Sequence, residues 1–536
     1  MKKLFFIIFL VIPAFLLGCN FDNNKKTFSE KTEKEPVTSE KTENEPVTSE
    51  KTEKEPVTIE IKNQPVTTVV KKSTSVELKF EAEINGGNLT YQWYESADGT
   101  TGTGKAIANE NQNIYTVSPF TERGIRYFYC VAETESETVT SSIAAIAYTE
   151  LPLVEITTVN NEEPTAEQVS PPAGCYGAGL QNATKVPARM IISKNDETIY
   201  DSGEYEKKQS GLTIKLRGNT SAYSEKKPYK IKLQKKADLL KDLLSREEAE
   251  YKDKDWILLK DATSLNTFVG MTVADIAGTE WTPEFAFVNV IMNGSYRGTY
   301  LLIEAINKNE KRVNVADDGY IIERDAYWWN EDKKFITDLN QKYTFKYPDE
   351  DDITDNQIEY IKNYMNTVEE NIQSGTYEDY IDYKSYARWQ LIHDILGTWD
   401  GGGSNIYISK YDSTEQSKLV MSTPWDFDSN YMMKNAWSNV HNSNRIYSAL
   451  LFSNENTAFK DSYIEQCNAI KNSLWRDLSI KMEELNTFQG KDINLARKCD
   501  SLLYNTSYSS VEDNITTAEN WFTERITWLE ENIDNL

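Results

Sequence analysis

Leu216-Arg217-Gly218-Asn219-Thr220-Ser221, followed four residues later by Lys226-Lys227-Pro228-Tyr229-Lys230-Ile231-Lys232-Leu233, is the stretch on which the fold of this chain turns. Apolar side chains fall at alternate positions from Tyr229 to Leu233, so a strand puts Tyr229, Ile231 and Leu233 on one face and both lysines on the other. That pattern fits a solvated surface strand as well as one that offers an ammonium to a phosphate. Ahead of it, the Arg217 to Ser224 loop supplies a guanidinium and backbone amides around Gly218, groups able to hold phosphate oxygens.

Working outward, strand-like runs occupy Arg189 to Ser193, Leu212 to Leu216, Phe285 to Met292 and Tyr300 to Glu304. Helical spacing takes over at Asp355 to Glu370, Tyr383 to Gly397 and Ala458 to Leu474. Strands first and helices later predict a two-lobed α+β domain over residues 151–536, in place of a doubly wound sheet.

Three further segments stand beside the opening one: Lys252-Asp253-Lys254-Asp255-Trp256-Ile257-Leu258-Leu259, then Asn293-Gly294-Ser295-Tyr296-Arg297-Gly298-Thr299-Tyr300-Leu301-Leu302-Ile303-Glu304, then Pro424-Trp425-Asp426-Phe427-Asp428. In this order, and over most of residues 151–536, they resemble the CotH family of spore-coat protein kinases. The resemblance implies an atypical protein-kinase-like domain that uses ATP with Mg²⁺ or Mn²⁺ to phosphorylate Ser or Thr of a protein substrate. Phosphoryl transfer needs a cation on the nucleotide phosphates, carboxylates for the metal and a carboxylate at the acceptor hydroxyl.

Asp426, after the apolar Leu419-Val420-Met421 run, resembles the metal-holding aspartate of kinases, with Asp428 where those enzymes have glycine. Asp400 and Asn405 have the five-residue spacing of the kinase catalytic aspartate and metal-binding asparagine, although Thr398-Trp399 replaces the His-Arg of that motif. Asp400-Gly401-Gly402-Gly403-Ser404-Asn405 also reads as an ordinary glycine-rich turn. The resemblance favours Lys232 as the phosphate lysine, with Lys227 and Lys230 behind it, and the guanidinium of Arg217 is read from its own chemistry as a further phosphate contact. Glu304 ends a strand like the one leading to a kinase hinge, where it contacts nucleotide, pairs with a lysine or merely closes the strand. The chain departs from the family in lacking a Gly-x-Gly-x-x-Gly cover and in carrying Ser264-Leu265-Asn266-Thr267 in place of Leu-Leu-Arg-Asn.

The N-terminus predicts export. Lys2 and Lys3 precede an apolar run from Leu4 to Leu17, and Leu16-Leu17-Gly18-Cys19 resembles a bacterial lipobox, so residues 1–18 read as a signal and Cys19 as the lipidated residue. The expected location is a membrane-anchored lipoprotein at the cell surface or periplasmic face. From Ser29 a ten-residue unit, SEKTEKEPVT and its variant, repeats through Thr58; charge, proline and the absence of aromatics predict a disordered stalk over residues 19–58. Residues 59–150 change to short alternating runs such as Leu89-Thr90-Tyr91-Gln92-Trp93-Tyr94 and Tyr127-Phe128-Tyr129-Cys130-Val131-Ala132, which predict a β-sandwich. Trp93 and the Cys130 strand resemble bacterial immunoglobulin-like modules, without a partner cysteine near Leu78 to Ala82. The expected architecture is therefore multidomain: an immunoglobulin-like β-sandwich followed by the kinase-like domain.

The formal net charge of −26, or −28 once Lys2 and Lys3 leave with the signal, excludes a nucleic-acid partner in the absence of a basic patch. Cys130, Cys175, Cys467 and Cys499 form no C-x-x-C pair, which argues against a thiolate metal site; Cys467 and Cys499 are read either as a disulfide or as two buried thiols. His393 and His441 match no metal or triad spacing and read as structural. Two rival functions remain at this stage. One is an inactive kinase-like surface adhesion or scaffold module. The other is a carbohydrate-active enzyme with paired carboxylates, which gives no reason for the Lys-rich strand or the Asp400 to Asn405 spacing.

Overall fold

A computed structural model describes residues 58–85, 88–247, 251–260, 264–398, 404–427, 432 and 446–533. Cys19, the repeat stalk, Asp400, Asp428 and His441 lie outside them.

The N-terminal region is all β. One sheet runs in the order Thr68–Val70, Ala144–Tyr148, Gly124–Glu133, Thr90–Ser96, Lys105–Ala106, and a second layer pairs Val76–Lys79 with Ile114–Val117. Alternation in each strand sends Leu78, Trp93, Tyr115, Phe128, Cys130 and Ile146 into the core between the layers. Trp93 is paired in register with Cys130, and its indole nitrogen donates to the Gln112 carbonyl at 2.8 Å. A fully buried indole N–H needs such an acceptor. Cys130 is a free thiol.

Residues 57–536 form one compact unit. Val69, Ala145 and Ala147 of the N-terminal region share a core with Leu153, Tyr296 and Cys499 of the region that follows. Polar contacts frame this seam. Asp492, buried, accepts from Arg123 and from the Glu150 amide, each at 2.8 Å, and Lys71 pairs with Glu155 at 2.7 Å.

The next seven long strands close on themselves. Leu153–Thr158, Phe285–Met292, Ser295–Glu304, Asp253–Leu259, Tyr229–Ala237, Leu212–Leu216 and Val186–Lys194 are neighbours in that order, and Leu153–Thr158 pairs with both Phe285–Met292 and Val186–Lys194. The interior is filled by alternate residues, among them Ile156, Met190, Ile214, Ile231, Trp256 and Val290. Closure satisfies strand edges that would otherwise be exposed. The same alternation leaves Lys215, Lys230 and Lys232 on the outside.

Part of the outer wall is apolar. Ile257, Leu259, Phe287, Leu301 and Ile303 join a second, larger core made with the C-terminal helices. These are α1 (Asn266–Ile276), α2 (Asp355–Ser374), α3 (Tyr383–Leu396), α4 (Ile446–Phe452), α5 (Ala458–Ile470), α6 (Leu474–Leu485), α7 (Lys491–Tyr504) and α8 (Val511–Asn532). Helix α2 begins at a capping box between Thr354 and Gln357 and stops at Gly375, whose φ of +81° suits glycine. Its Ile361, Met365, Val368 and Ile372, at helical spacing, enter the core. The helical run expected from Ala458 to Leu474 is divided between α5 and α6.

A five-stranded sheet lies within this helical part, in the order Lys334–Ile336, Lys342–Tyr347, Tyr320–Arg324, Ile406–Lys410, Leu419–Met421. Ile322, Tyr343, Phe345, Ile406 and Ile408 cover the helical core with one face. The alternate positions, Glu323, Asp325, Thr344 and Lys346, belong to the other face. Cys467 and Cys499 sit in separate cores as free thiols, which resolves their reading against a disulfide.

Candidate functional site

Two antiparallel strands deliver the central pair. Asn405 leads into Ile406–Lys410, Asp426 follows Leu419–Met421, and Ile408 is paired with Met421. Across this pairing, Asn405 Nδ2 donates to Asp426 Oδ2 at 2.7 Å. Both residues hold left-handed backbone, with φ of +58° at Asn405 and +65° at Asp426. Asn and Asp tolerate that region better than other side chains, and non-glycine residues held there concentrate at functional sites.

Buried aromatics fix Asp426 on either side. Trp425 and Phe427 are both in the core. A Cβ on Gly270 of α1 would stand 2.3 Å from the Phe427 ring, so glycine is required for the helix to approach so closely. His393 lies beside the same ring at 5.9 Å, and its Nδ1 is within 2.6 Å of the Thr398 hydroxyl. His393 is a packing and hydrogen-bonding residue.

The charged face of the five-stranded sheet adjoins this pair. Arg324 is paired with Ile406, so Asp325 lies one step on, on the register line of Asn405. Asp325 accepts from the Tyr327 amide at 2.7 Å, and Lys346 Nζ is 2.6 Å from Glu323 Oε2. Burial, followed by the nearby Glu323 carboxylate, pushes the Asp325 acid up to about 7, with Lys346 acting against them. Burial pulls the Lys346 ammonium down, but Glu323 and Asp325 outweigh it, so the group stays protonated. Sequence reasoning missed Glu323, Asp325 and Lys346. Their only signal was a charge at alternate positions of short apolar strands.

Opposite stands the outer wall of the barrel. Lys230 is paired with Lys215 in register and makes an ion pair with Asp255 at 3.0 Å. Lys232 is exposed, beside Thr213 and Asp255. Lys227 donates to the Ala222 carbonyl at 3.0 Å, and Lys260 to Ser224 Oγ at 2.7 Å, so these two lysines brace the Arg217 to Ser224 loop. Gly218, at φ +78°, has Ser221 Oγ where a Cβ would stand. Thr220 Oγ1 lies 2.6 Å from the Tyr327 hydroxyl, joining the loop to the segment after Asp325. Arg217 is close enough for its charge to act on Tyr407, the strand partner of Glu323.

Glu304 is set apart from these groups. It is buried and accepts from Trp281 Nε1 and the Glu284 amide at 3.2 Å and from Arg246 at 3.3 Å. Burial pushes its acid up, while Arg312 and Arg246 oppose. The structure thus brings together Asn405 and Asp426, sets Arg217 within electrostatic reach of Tyr407 two residues on from Asn405, ties Lys230 to Asp255, and leaves Lys232 exposed and Glu304 in an arginine-lined strand end.

Among the described residues no three His, Cys, Asp or Glu side chains converge as a metal group. The Asn405 and Asp426 oxygens are nevertheless the hard donors that Mg²⁺ takes when it keeps several waters, so this pair fits such an ion.

A family model described as CotH kinase protein matches residues 214–529. The match begins inside the Leu212–Leu216 strand, so the Leu153–Thr158 and Val186–Lys194 strands that close the barrel lie ahead of it. No curated protein matches the chain. Among solved structures, a chimeric titin Z1Z2 tandem carrying a fibronectin GRGDS peptide is 13% identical over 33% of this chain and 91% of its own, with a TM-score of 0.13. The N-terminal eight Ig domains of Down syndrome cell adhesion molecule are 11% identical over 48% of this chain and 39% of theirs, with a TM-score of 0.14. Neither score carries an argument about this fold.

Proposed function

The chain belongs to the CotH kinase protein family, and from that premise we propose that its cleft transfers the γ-phosphoryl group of ATP to a Ser or Thr hydroxyl of a surface or secreted protein. The observation that carries the reading is the contact of Asn405 with Asp426, both in left-handed backbone, at the mouth of two paired strands. A scaffold has no need of two residues held in left-handed backbone so that the amide of one donates to the carboxylate of the other.

In this reading Asp426, Asn405 and Asp428 would hold Mg²⁺ or Mn²⁺, whose charge would offset that of the phosphate oxygens. Cations of the barrel wall, with Arg217 at the loop, bind the remaining phosphate charge. Asp400 accepts the proton of the acceptor hydroxyl as its oxygen bonds to the γ-phosphorus and the bond to the bridging oxygen breaks, releasing ADP. Acylation at Cys19 would place the site outside the membrane on a charged stalk, with residues 59–150 as an immunoglobulin-like module beside it.

Mass spectrometry of a generic acceptor protein incubated with the full chain, ATP and Mg²⁺ tests this. Phosphate on Ser or Thr of the acceptor is expected. An unmodified acceptor, with neither Mg²⁺ nor Mn²⁺ giving transfer, would overturn the reading in favour of a surface scaffold.

A further inference from the structure

The outer wall of the barrel carries a row of like charges. Lys215 is paired with Lys230 across one strand boundary, and the pairing of Val186 with Ile214 across the other places Lys185 opposite Lys215 one step on. Three lysines therefore stand abreast on neighbouring strands, spanning about 10 Å. Arg217 lies two residues from Lys215 on the same side, its amide still bonded to the Pro228 carbonyl at 3.2 Å, as in a continuing ladder. Like charges directly opposite one another on a sheet are destabilising, so such a row calls for an anion.

The protein's own carboxylates supply it only in part. Lys230 has Asp255, and Lys346 across the cleft has Glu323. Lys226 is buried with Asp500, and Lys227 is bonded to the loop. Lys215 is half-buried and forms no ion pair among the described residues. Burial, followed by Lys230 and Lys185, pulls its ammonium down, and Glu331 is the carboxylate that acts against them.

Resting on the phosphotransfer reading, we propose that Lys215, flanked by Lys230 and Lys185 and continued by Arg217, holds the triphosphate of the nucleotide, and that Lys232 is not the phosphate lysine. The row lies within electrostatic reach of Glu331 and of Lys346 on the charged face of the five-stranded sheet, and its three ammonium groups together can hold a polyanion. Lys232 belongs to the next row, exposed and beside Asp255, farther from Arg217.

Isothermal titration of the full chain with ATP, tripolyphosphate and AMP, each with Mg²⁺, tests the assignment in wild type, Lys215→Met, Lys215→Arg and Lys232→Met. Lys215→Met is expected to weaken ATP and tripolyphosphate at least tenfold, Lys215→Arg to restore most of that loss, and Lys232→Met to stay within twofold of wild type. Because the methionine removes a repulsive charge from a half-buried position, Lys215→Met is also expected to melt no lower than wild type without ligand, which separates lost binding from lost folding. ATP binding by Lys215→Met within twofold of wild type, or a tenfold loss confined to Lys232→Met, would overturn the assignment and leave the phosphotransfer reading standing. Failure of wild type to bind ATP would remove both.

Discussion

Asp325 is the residue whose charge state the fold controls most visibly. Its acid is raised in the folded chain to about 7, so the stability gained from its proton is full below the ordinary carboxylate value and is lost as pH rises toward 7. Above that, the fold carries a buried carboxylate at a cost of up to about 4 kcal/mol. Asp325→Asn is therefore expected to match wild type in urea unfolding near pH 4 and to exceed it increasingly toward pH 8. A wild type more stable than the variant at pH 8 would mean that Lys346 holds the ionised form. Asn405 and Asp426 stood out in the sequence by an expected spacing and by a preceding apolar strand, and the fold joins them in one hydrogen bond. Asp325, Glu323 and Lys346 were not. A charge alternating with Ile or Phe reads as a solvated face, and only the register of two strands about eighty residues apart sets that face beside Asn405.

At the scale of elements, one helix packs behind the site and another anchors the barrel. Helix α1 touches Phe427 through Gly270, and Gly270→Ala must displace the ring next to Asp426. Overpacking of this kind costs about 1–3 kcal/mol. The expected outcome is a comparable loss in denaturant unfolding together with a larger fractional loss of activity; full activity would show that Asp426 is positioned without α1. Helix α7 supplies Asp500, which is buried against Lys226 and accepts from the Thr299 amide at 3.0 Å. Asp500→Ala leaves that ammonium buried without its carboxylate, a change that costs about 3–5 kcal/mol by urea unfolding. A loss under 1 kcal/mol would show that the Thr299 carbonyl and the nearby Tyr300 ring suffice for Lys226. Helix α2 was readable from its spacing and its cap, whereas α7 as a partner of the barrel was not, since Lys226 and Asp500 are distant in the chain and each looks like an ordinary surface charge.

For the whole molecule, the change of texture near Leu151 marked where one pattern gives way to the next, but it did not disclose the seam. The N-terminal β region contributes Val69, Ala145 and Ala147 to a core whose other half is Leu153, Tyr296 and Cys499. It also supplies Arg123, which satisfies the buried Asp492. A fragment of residues 151–536 should consequently melt about 5 °C or more below the chain that retains residues 58–150, and bind a hydrophobic dye. Equal melting temperatures would make the N-terminal region a detachable spacer. Barrel closure was equally hidden: alternation announced the individual strands, while the pairing of Leu153–Thr158 with two non-adjacent partners depends on the assembled fold.

The most direct test of the account is transfer of labelled γ-phosphate from ATP, with Mg²⁺ or Mn²⁺, to an acceptor protein by the full chain beside Asp400→Ala and Asp426→Ala. Transfer by wild type, lost at least a hundredfold in each variant while both retain the wild-type melting temperature, is the result expected. Label transferred equally well by Asp426→Ala, or by no form of the chain, would contradict the claim that the Asn405 and Asp426 pair marks a working phosphotransfer site.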